Sequence, residues 1–292
     1  MTRVLITGVC GFVGTTLARE LPRHREGIQI LGIDNLSRPG SEVNRTPLVT
    51  EGIRVWHGDL RVPSDLEMLP AADWVIDAAA NPSVLAGAGG ASSSRQLMEH
   101  NLVGTVHLLE YCRRHGSGLL MLSTSRVYSA AGLAALPVTP CGRRLEPNWA
   151  AVRVEGLSPA GLSERFSTSP PISLYGATKL ASEILAREYG AAFGFPVRVN
   201  RCGVLAGAGQ FGKPDQGIFS YWIHSWRARR PLKYIGFGGQ GAQVRDCLHP
   251  RDLVPLLLQQ MDQESSETVV NVGGGTARSM SLAELSAWCL DR

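Results

Sequence analysis

Gly8-Val9-Cys10-Gly11-Phe12-Val13-Gly14 follows directly on the apolar run Arg3-Val4-Leu5-Ile6-Thr7, and the reading of this junction decides the fold. A short apolar run that stops at glycine reads as a buried parallel strand. The residues from Phe12 to Leu21 can be helical and end at Pro22. Strand, glycine turn and helix in that order make a phosphate cradle. Gly8 allows the tight exit, Gly11 lets the backbone approach a pyrophosphate, and Gly14 lets the helix pack on the sheet. The helix N-terminus then offers free N–H groups and a positive dipole end. The spacing is Gly-x-x-Gly-x-x-Gly rather than Gly-x-Gly-x-x-Gly, so the turn gains its meaning from the strand and the acid beyond it.

That second strand, Ile28–Ile33, ends at Asp34, 20 residues beyond Gly14. A carboxylate there accepts hydrogen bonds from an adenosine ribose and repels a 2′-phosphate, which favours NAD over NADP. Arg38 is the group that could pair with a 2′-phosphate instead. Further strands are expected at Ile53–Trp56, Trp74–Ala78 and Gly118–Ser123, with a helix over Leu97–Arg114 on the period of Leu102, Val106, Leu109 and Cys112. Asp59-Leu60 would lie beside the adenine, and the small-residue run Asp77-Ala78-Ala79-Ala80 suits close backbone approach. The alternation implies an α/β fold, a Rossmann-type doubly wound parallel sheet with right-handed crossovers.

Regularity fails from Ser129 to Pro171, a proline-rich stretch that reads as an insertion. The pattern resumes with a helix over Tyr175–Phe193 and a strand over Pro196–Arg201, then turns loop-rich after Gly203. A last strand is expected at Val269–Val272 and a last helix at Ser281–Cys289. These elements suggest a dinucleotide-binding domain over 1–202 (129–172 inserted) and 243–272. A small C-terminal substrate-binding region would comprise 203–242 and 273–292.

Tyr175-Gly176-Ala177-Thr178-Lys179 places a phenol and an ammonium one helical turn apart on one face. A unit positive charge about 4 Å away, at an effective dielectric of about 20, stabilises a phenolate by roughly 4 kcal/mol. That would bring a tyrosine from its ordinary pKa of about 10 toward neutrality and make it a general base. Lys179 can also bind the nicotinamide ribose. Thr124, in Leu122-Ser123-Thr124-Ser125-Arg126-Val127-Tyr128, would turn the substrate oxygen toward Tyr175.

Composition sets the outer limits. The 292 residues are 44% hydrophobic and 18% charged, with a formal net charge of +4, and lack the clustered basic face of a nucleic-acid binder. Six scattered cysteines without Cys-x-x-Cys spacing read as reduced thiols. No histidine spacing suggests a metal, and His100 and His107 read as a partly exposed helix face. No apolar stretch approaches the roughly 20 residues of a membrane span. With no leader ahead of the first strand, a cytoplasmic location is expected.

As a set, the glycine turn, Asp59, Ala78–Ala80, Asn101, Thr124, Tyr175 and Lys179 resemble the extended short-chain dehydrogenase/reductases that act on nucleotide sugars, the NAD-dependent epimerase/dehydratase family. Within it, Asp34–Asn44, Asn81–Leu85, Asn200–Gly207 followed by Gly209-Gln210, and Gln243–Asp252 are similar to a subgroup that epimerises CDP-deoxyhexoses. The resemblance implies NAD held by Gly8, Gly11, Phe12, Val13, Gly14, Asp34, Asn35, Ser37, Arg38, Asp59, Leu60, Ala78, Ala79, Ala80, Asn101, Ser123, Tyr175, Lys179 and Cys202. It implies catalysis by Thr124, Tyr175 and Lys179. It places the substrate pyrophosphate on Arg245 and the sugar near Asn81 and Ser83, with Thr124, Arg126 and Gln210 also on the substrate side. It further implies a homodimer through the Leu97–Arg114 and Tyr175–Phe193 helices. Relatives run on beyond the position of Arg292, so the substrate region reads as shortened. Three alternatives stay open: a 4,6-dehydratase, which needs an acid pair where Ser125 and Arg126 stand; a net dehydrogenase or reductase; and a non-catalytic NAD sensor.

Overall fold

In the computed structural model, each apolar run of the first half becomes a strand and each amphipathic stretch the helix that returns across it. Residues 1–83, 93–214, 216–263 and 268–292 are described; the stretches between them, which fall within both expected regions, lie outside the described residues. Strand β1 (Thr2–Thr7) turns at the glycines into α1 (Phe12–His24). Then come β2 (Ile28–Asp34), α2 (Arg45–Thr50), β3 (Arg54–His57), α3 (Pro63–Glu67) and β4 (Trp74–Asp77). α4 (Ser94–Met98) passes through a π-turn at Glu99–Val103 into α5 (Gly104–His115), which returns to β5 (Gly118–Thr124).

The proline-rich insertion is more ordered than its sequence suggests. It carries α6 (Ala130–Ala134) and two hairpins, β6 (Val138–Cys141) with β7 (Arg144–Pro147) and β8 (Leu157–Ser158) with β9 (Gly161–Leu162). The chain continues through α7 (Leu174–Phe193), β10 (Val197–Cys202), β11 (Val204–Leu205) and α8 (Ile218–Arg227). It closes with β12 (Val244–Leu248), α9 (Val254–Asp262), β13 (Val269–Val272), β14 (Ser279–Ser281) and α10 (Leu282–Leu290).

Seven strands form one parallel sheet in the order β13-β10-β5-β4-β1-β2-β3. Side-chain alternation divides its core in two. Val4 and Ile6 pack with Leu17 and Leu21 of α1 and Leu253 and Leu257 around α9. Leu5 packs on the other face with Leu66, Leu108, Leu109 and Ala186 from α3, α5 and α7. The chain leaves β1 for β2 on one side and reaches β4 on the other, so a crevice opens at their carboxyl ends.

Three expectations shift. α1 runs past Pro22 to His24, because in the last turn a proline forfeits one hydrogen bond while Arg25 N–H closes onto the Leu21 carbonyl at 3.1 Å. The loop-rich stretch after Gly203 contains α8, whose Phe219 and Trp222 bury against Leu285 and Cys289. The stretch that opens the second expected cofactor segment forms β12, which joins β11 and β14 in a small three-stranded sheet, and the chain returns to α1 from His249, whose ring meets Phe12.

The packing of α1 is unforgiving at Gly14. A Cβ there would lie 2.2 Å from the Gly8 carbonyl oxygen and 2.7 Å from Val9 Cα, both backbone atoms. Gly14→Ala should therefore cost about 1–3 kcal/mol of stability, read as a lower thermal denaturation midpoint. An unchanged midpoint would contradict this packing.

Candidate active site

The crevice at the switch point encloses about 500 Å³. The first turn of α1 faces it with Gly11 as N-cap, no side-chain cap and no acidic residue, so its N–H groups are available to an anion. Gly8, Gly11, Phe12, Val13 and Gly14 line this end with Ala78, Ala79 and Ala80. Asp34 braces the turn, accepting hydrogen bonds from Cys10 N at 2.9 Å and Leu36 N at 2.8 Å. Burial pushes its carboxyl pKa up, against the backbone N–H groups that hold it down.

Two polar atoms here have no hydrogen-bond partner among the described residues: the Ser41 hydroxyl and His100 Nε2, both buried and both on residues lining the crevice. Native interiors seldom leave such groups unpaired, and polar groups of a ligand in the crevice would satisfy both. With the uncapped helix, they fit a dinucleotide. Neither was legible as such in the sequence. His100 is partly exposed, as expected, and lies in the π-turn on the crevice wall, where burial and then Arg61 lower its pKa. His107 is spent on the Leu60 carbonyl, with Nδ1 at 2.8 Å.

The residues expected around the adenosine lie along the crevice but are partly engaged with one another. Asn35 donates to Asp59 at 2.9 Å, and Ser37 N donates to the Asn35 side chain at 3.0 Å. The Arg61 guanidinium on Asp59 holds that carboxyl well below its ordinary range. Leu60 lines the same wall. Arg38 was expected as the group that could meet a 2′-phosphate. It instead crosses the crevice, donating to the Gln216 side chain and the Phe211 carbonyl.

At the other end, Ser173 caps α7 through Gly176 N at 2.9 Å and starts the helix beside the end of β5. A Cβ on Gly176 would fall 2.2 Å from the Arg126 carbonyl oxygen, so this residue admits the close contact that brings Tyr175 to Thr124. The Thr124 hydroxyl stands beside the phenol at the crevice wall. Burial pushes Tyr175 up to about 12, with the Thr124 hydroxyl and Arg126 pulling down and Cys202 and Asp77 pushing up. The expected fall toward neutrality is therefore absent in the free protein. Lys179, 2% exposed, has its ammonium 3.8 Å from Asp77 Oδ2 and does not line the crevice.

Other expected residues divide. Ser123, Cys202, Arg126, Gln210 and Arg245 line the crevice. Cys202 is buried with its thiol pushed up to about 12 by desolvation, and Ser123 donates to buried Glu183. Gln210 spends its amide on Leu205 and Ser220, both at 2.8 Å. Burial and then Arg126 make the charged form of Arg245 costly, and among the described residues no carboxylate pairs with either arginine. Asn81, Ser83 and Asn101 stand behind the wall, where Pro82 lines it instead. Asn101 accepts from Asn81 N at 2.8 Å, donates to Asn81 O at 3.0 Å and reaches Thr178 at 3.2 Å, so it fastens the exit of β4 to α7. No helix among the described residues is long and apolar enough to cross a membrane.

Fold and crevice together define a dinucleotide-binding α/β protein of the Rossmann class with a hydroxyl, a phenol and an arginine pair beyond the cradle. The family model described as the NAD dependent epimerase/dehydratase family matches residues 4–273, and the chain belongs to that family, whose cofactor is NAD. It is 30% identical to CDP-paratose 2-epimerase of Salmonella typhi over 97% of this chain and 82% of the relative. It is 26% identical to UDP-glucuronate 4-epimerase of Thermodesulfobacterium geofontis over 93% of this chain and 75% of the relative. The UDP-glucose 4-epimerase of Thermus thermophilus, solved in complex with NAD, superposes with a TM-score of 0.72 at 25% identity, covering 99% of this chain and 83% of that one.

If the Ser41 hydroxyl waits for cofactor, Ser41→Ala should act in opposite directions on two measurements. It should leave the cofactor-free protein as stable or slightly more so, since an unpaired buried polar atom is removed. It should also weaken NAD binding by about 1 kcal/mol, roughly fivefold, in calorimetric titration. Unchanged affinity would remove Ser41 from the site.

Proposed function

We propose that the chain epimerises a nucleotide-activated sugar with NAD held in the crevice, in the manner of CDP-paratose 2-epimerase. The observation that carries this reading is the Thr124 hydroxyl beside the Tyr175 phenol at the crevice wall, followed by Ser125 and Arg126 where a dehydratase needs acids. Retention of Tyr175 and Lys179 together speaks against a non-catalytic sensor.

Bound NAD supplies reversible hydride acceptance, so a hydroxyl-bearing carbon can be oxidised and restored on its other face without an outside reductant. Gly8–Gly14 and the first turn of α1 hold the pyrophosphate, and Asp34 meets the adenosine ribose. Thr124 holds the reacting sugar oxygen, and Tyr175 takes its proton and later gives it back. Lys179 acts behind Tyr175 as the buried cation of α7. Arg126 and Arg245, unpaired by any described carboxylate, face the substrate pyrophosphate.

The large sheet with α9 serves as the cofactor domain, and the small sheet with α8 and α10 as the substrate region. Val103, Ile184 and Phe193 leave apolar surface exposed on and beside α5 and α7, where a homodimer would form.

A panel of CDP- and UDP-sugars in deuterated water tests the reaction. Epimerised product should retain hydrogen at the inverted carbon, and NAD should co-purify with the protein. Tyr175→Phe should lower turnover by about 10²–10⁴-fold while NAD content stays. Equal turnover in the Phe variant, or solvent deuterium at the inverted centre, would overturn the mechanism.

A further inference from the structure

We infer that Asp77 is a positioning residue of this site: it anchors the Lys179 ammonium and thereby sets how readily Tyr175 gives up its proton. The inference rests on Tyr175 being the proton carrier, and it concerns a residue that no motif in the sequence singles out for that part.

The geometry leaves Asp77 little freedom. It closes β4 and stands beside Thr7 in the β1–β4 register. The Thr7 hydroxyl accepts hydrogen bonds from Ala78 N at 3.1 Å and Ala79 N at 3.0 Å, which commits its own proton to Asp77 Oδ1, 2.9 Å away. The carboxyl thus meets Thr7 as an acceptor, and its second oxygen is turned to Lys179 at 3.8 Å. Both side chains are buried, at 3% and 2% exposure. An ammonium so enclosed requires a counter-charge, and Asp77 is the carboxylate within ion-pair distance of Lys179 among the described residues.

The groups around this pair fix the sign of its effect. On α7, one turn before Lys179, stands Tyr175; from the end of β5 come Thr124 and the nearby Arg126; from β10 comes Cys202. On the opposite side, Cys112 of α5 faces Asp77 and is also pushed up by its charge. Arg126 favours the phenolate and Asp77 opposes it. Burial is the main reason Tyr175 stands above what its spacing from Lys179 suggests, and a lysine held by a carboxylate acts on it less than a free cation would. Removing the negative charge takes away the enclosed ammonium's counter-charge, and the Tyr175 phenolate one turn away is the group that can replace it, so ionisation of the phenol is favoured. A merely structural role for Asp77 would lower stability and leave the titration of Tyr175 where it was.

Asp77→Asn keeps the shape and an acceptor for Thr7 while removing the charge. Phenolate absorbance is titrated in the wild type and in the variant, each against its Tyr175→Phe background. Tyr175 should ionise about one pH unit lower in Asp77→Asn. In the NAD-loaded protein, the acid limb of sugar-driven reduction of bound NAD should move down by the same amount. If Asp77→Asn does not fold, Asp77→Ser is read the same way. Coincident titrations in a folded neutral variant overturn the inference. The titration needs no sugar, so a wild type that reacts with no nucleotide sugar would sink the proposed reaction and still leave Asp77 decided.

Discussion

The close approach of the Gly8 carbonyl to the place where Gly14 would carry a side chain is the constraint from which the site is built. Because α1 lies that close to β1, its first N–H groups point into the crevice rather than over the sheet. Asp34, arriving on the neighbouring strand, then meets the turn from below and bonds Cys10 N. The same parallel register carries Thr7 to Asp77 and so sets the wall opposite. A bulkier turn would lift α1 and with it the anion-binding end of the crevice, and every residue further along would address an empty space.

The sequence is most legible where one local interaction settles the conformation. Short Val/Ile/Leu runs ending at glycine or aspartate became the parallel strands. α7 was visible because the α/β pattern resumes at Tyr175, and Ser173 and Gly194 close its two ends, the latter in the left-handed region at φ +74. It is least legible where a partner lies far away along the chain. α8 gave no signal because its Phe219 and Trp222 find their partners on α10. Nothing beside Arg38 announces Phe211 or Gln216, and nothing beside Asp77 announces Lys179. His100 lines the crevice from within a π-turn, a distortion that helical periodicity alone cannot express.

Electrostatics showed the same division. Tyrosine and lysine one turn apart suggest an acidic phenol if only their pair is counted. Burial acts on Tyr175 more strongly than any single neighbour, and it disfavours the charged form. The free site therefore favours a protonated phenol beside the Thr124 hydroxyl, which is the state suited to donate. The proposed reaction uses the group in both directions. What shifts it toward accepting a proton must arrive with the ligands, so its basicity is coupled to occupancy of the crevice.

The arginines extend that coupling to the substrate. Arg126 disfavours the charge on Arg245, while it also favours the phenolate of Tyr175. A diphosphate seated between the guanidiniums would relieve the first interaction, since each positive charge gains a negative partner. It would also draw the Arg126 charge away from the phenol and leave Tyr175 a better proton holder. Substrate anchoring and proton affinity then share one residue, the exposed arginine two positions after Thr124. Seating the pyrophosphate would by itself favour the donating state, and the positive charge of the oxidised cofactor would have to favour the accepting one. Opposed charges of this kind keep the phenol near balance, as a group that must both take and return a proton within one cycle requires.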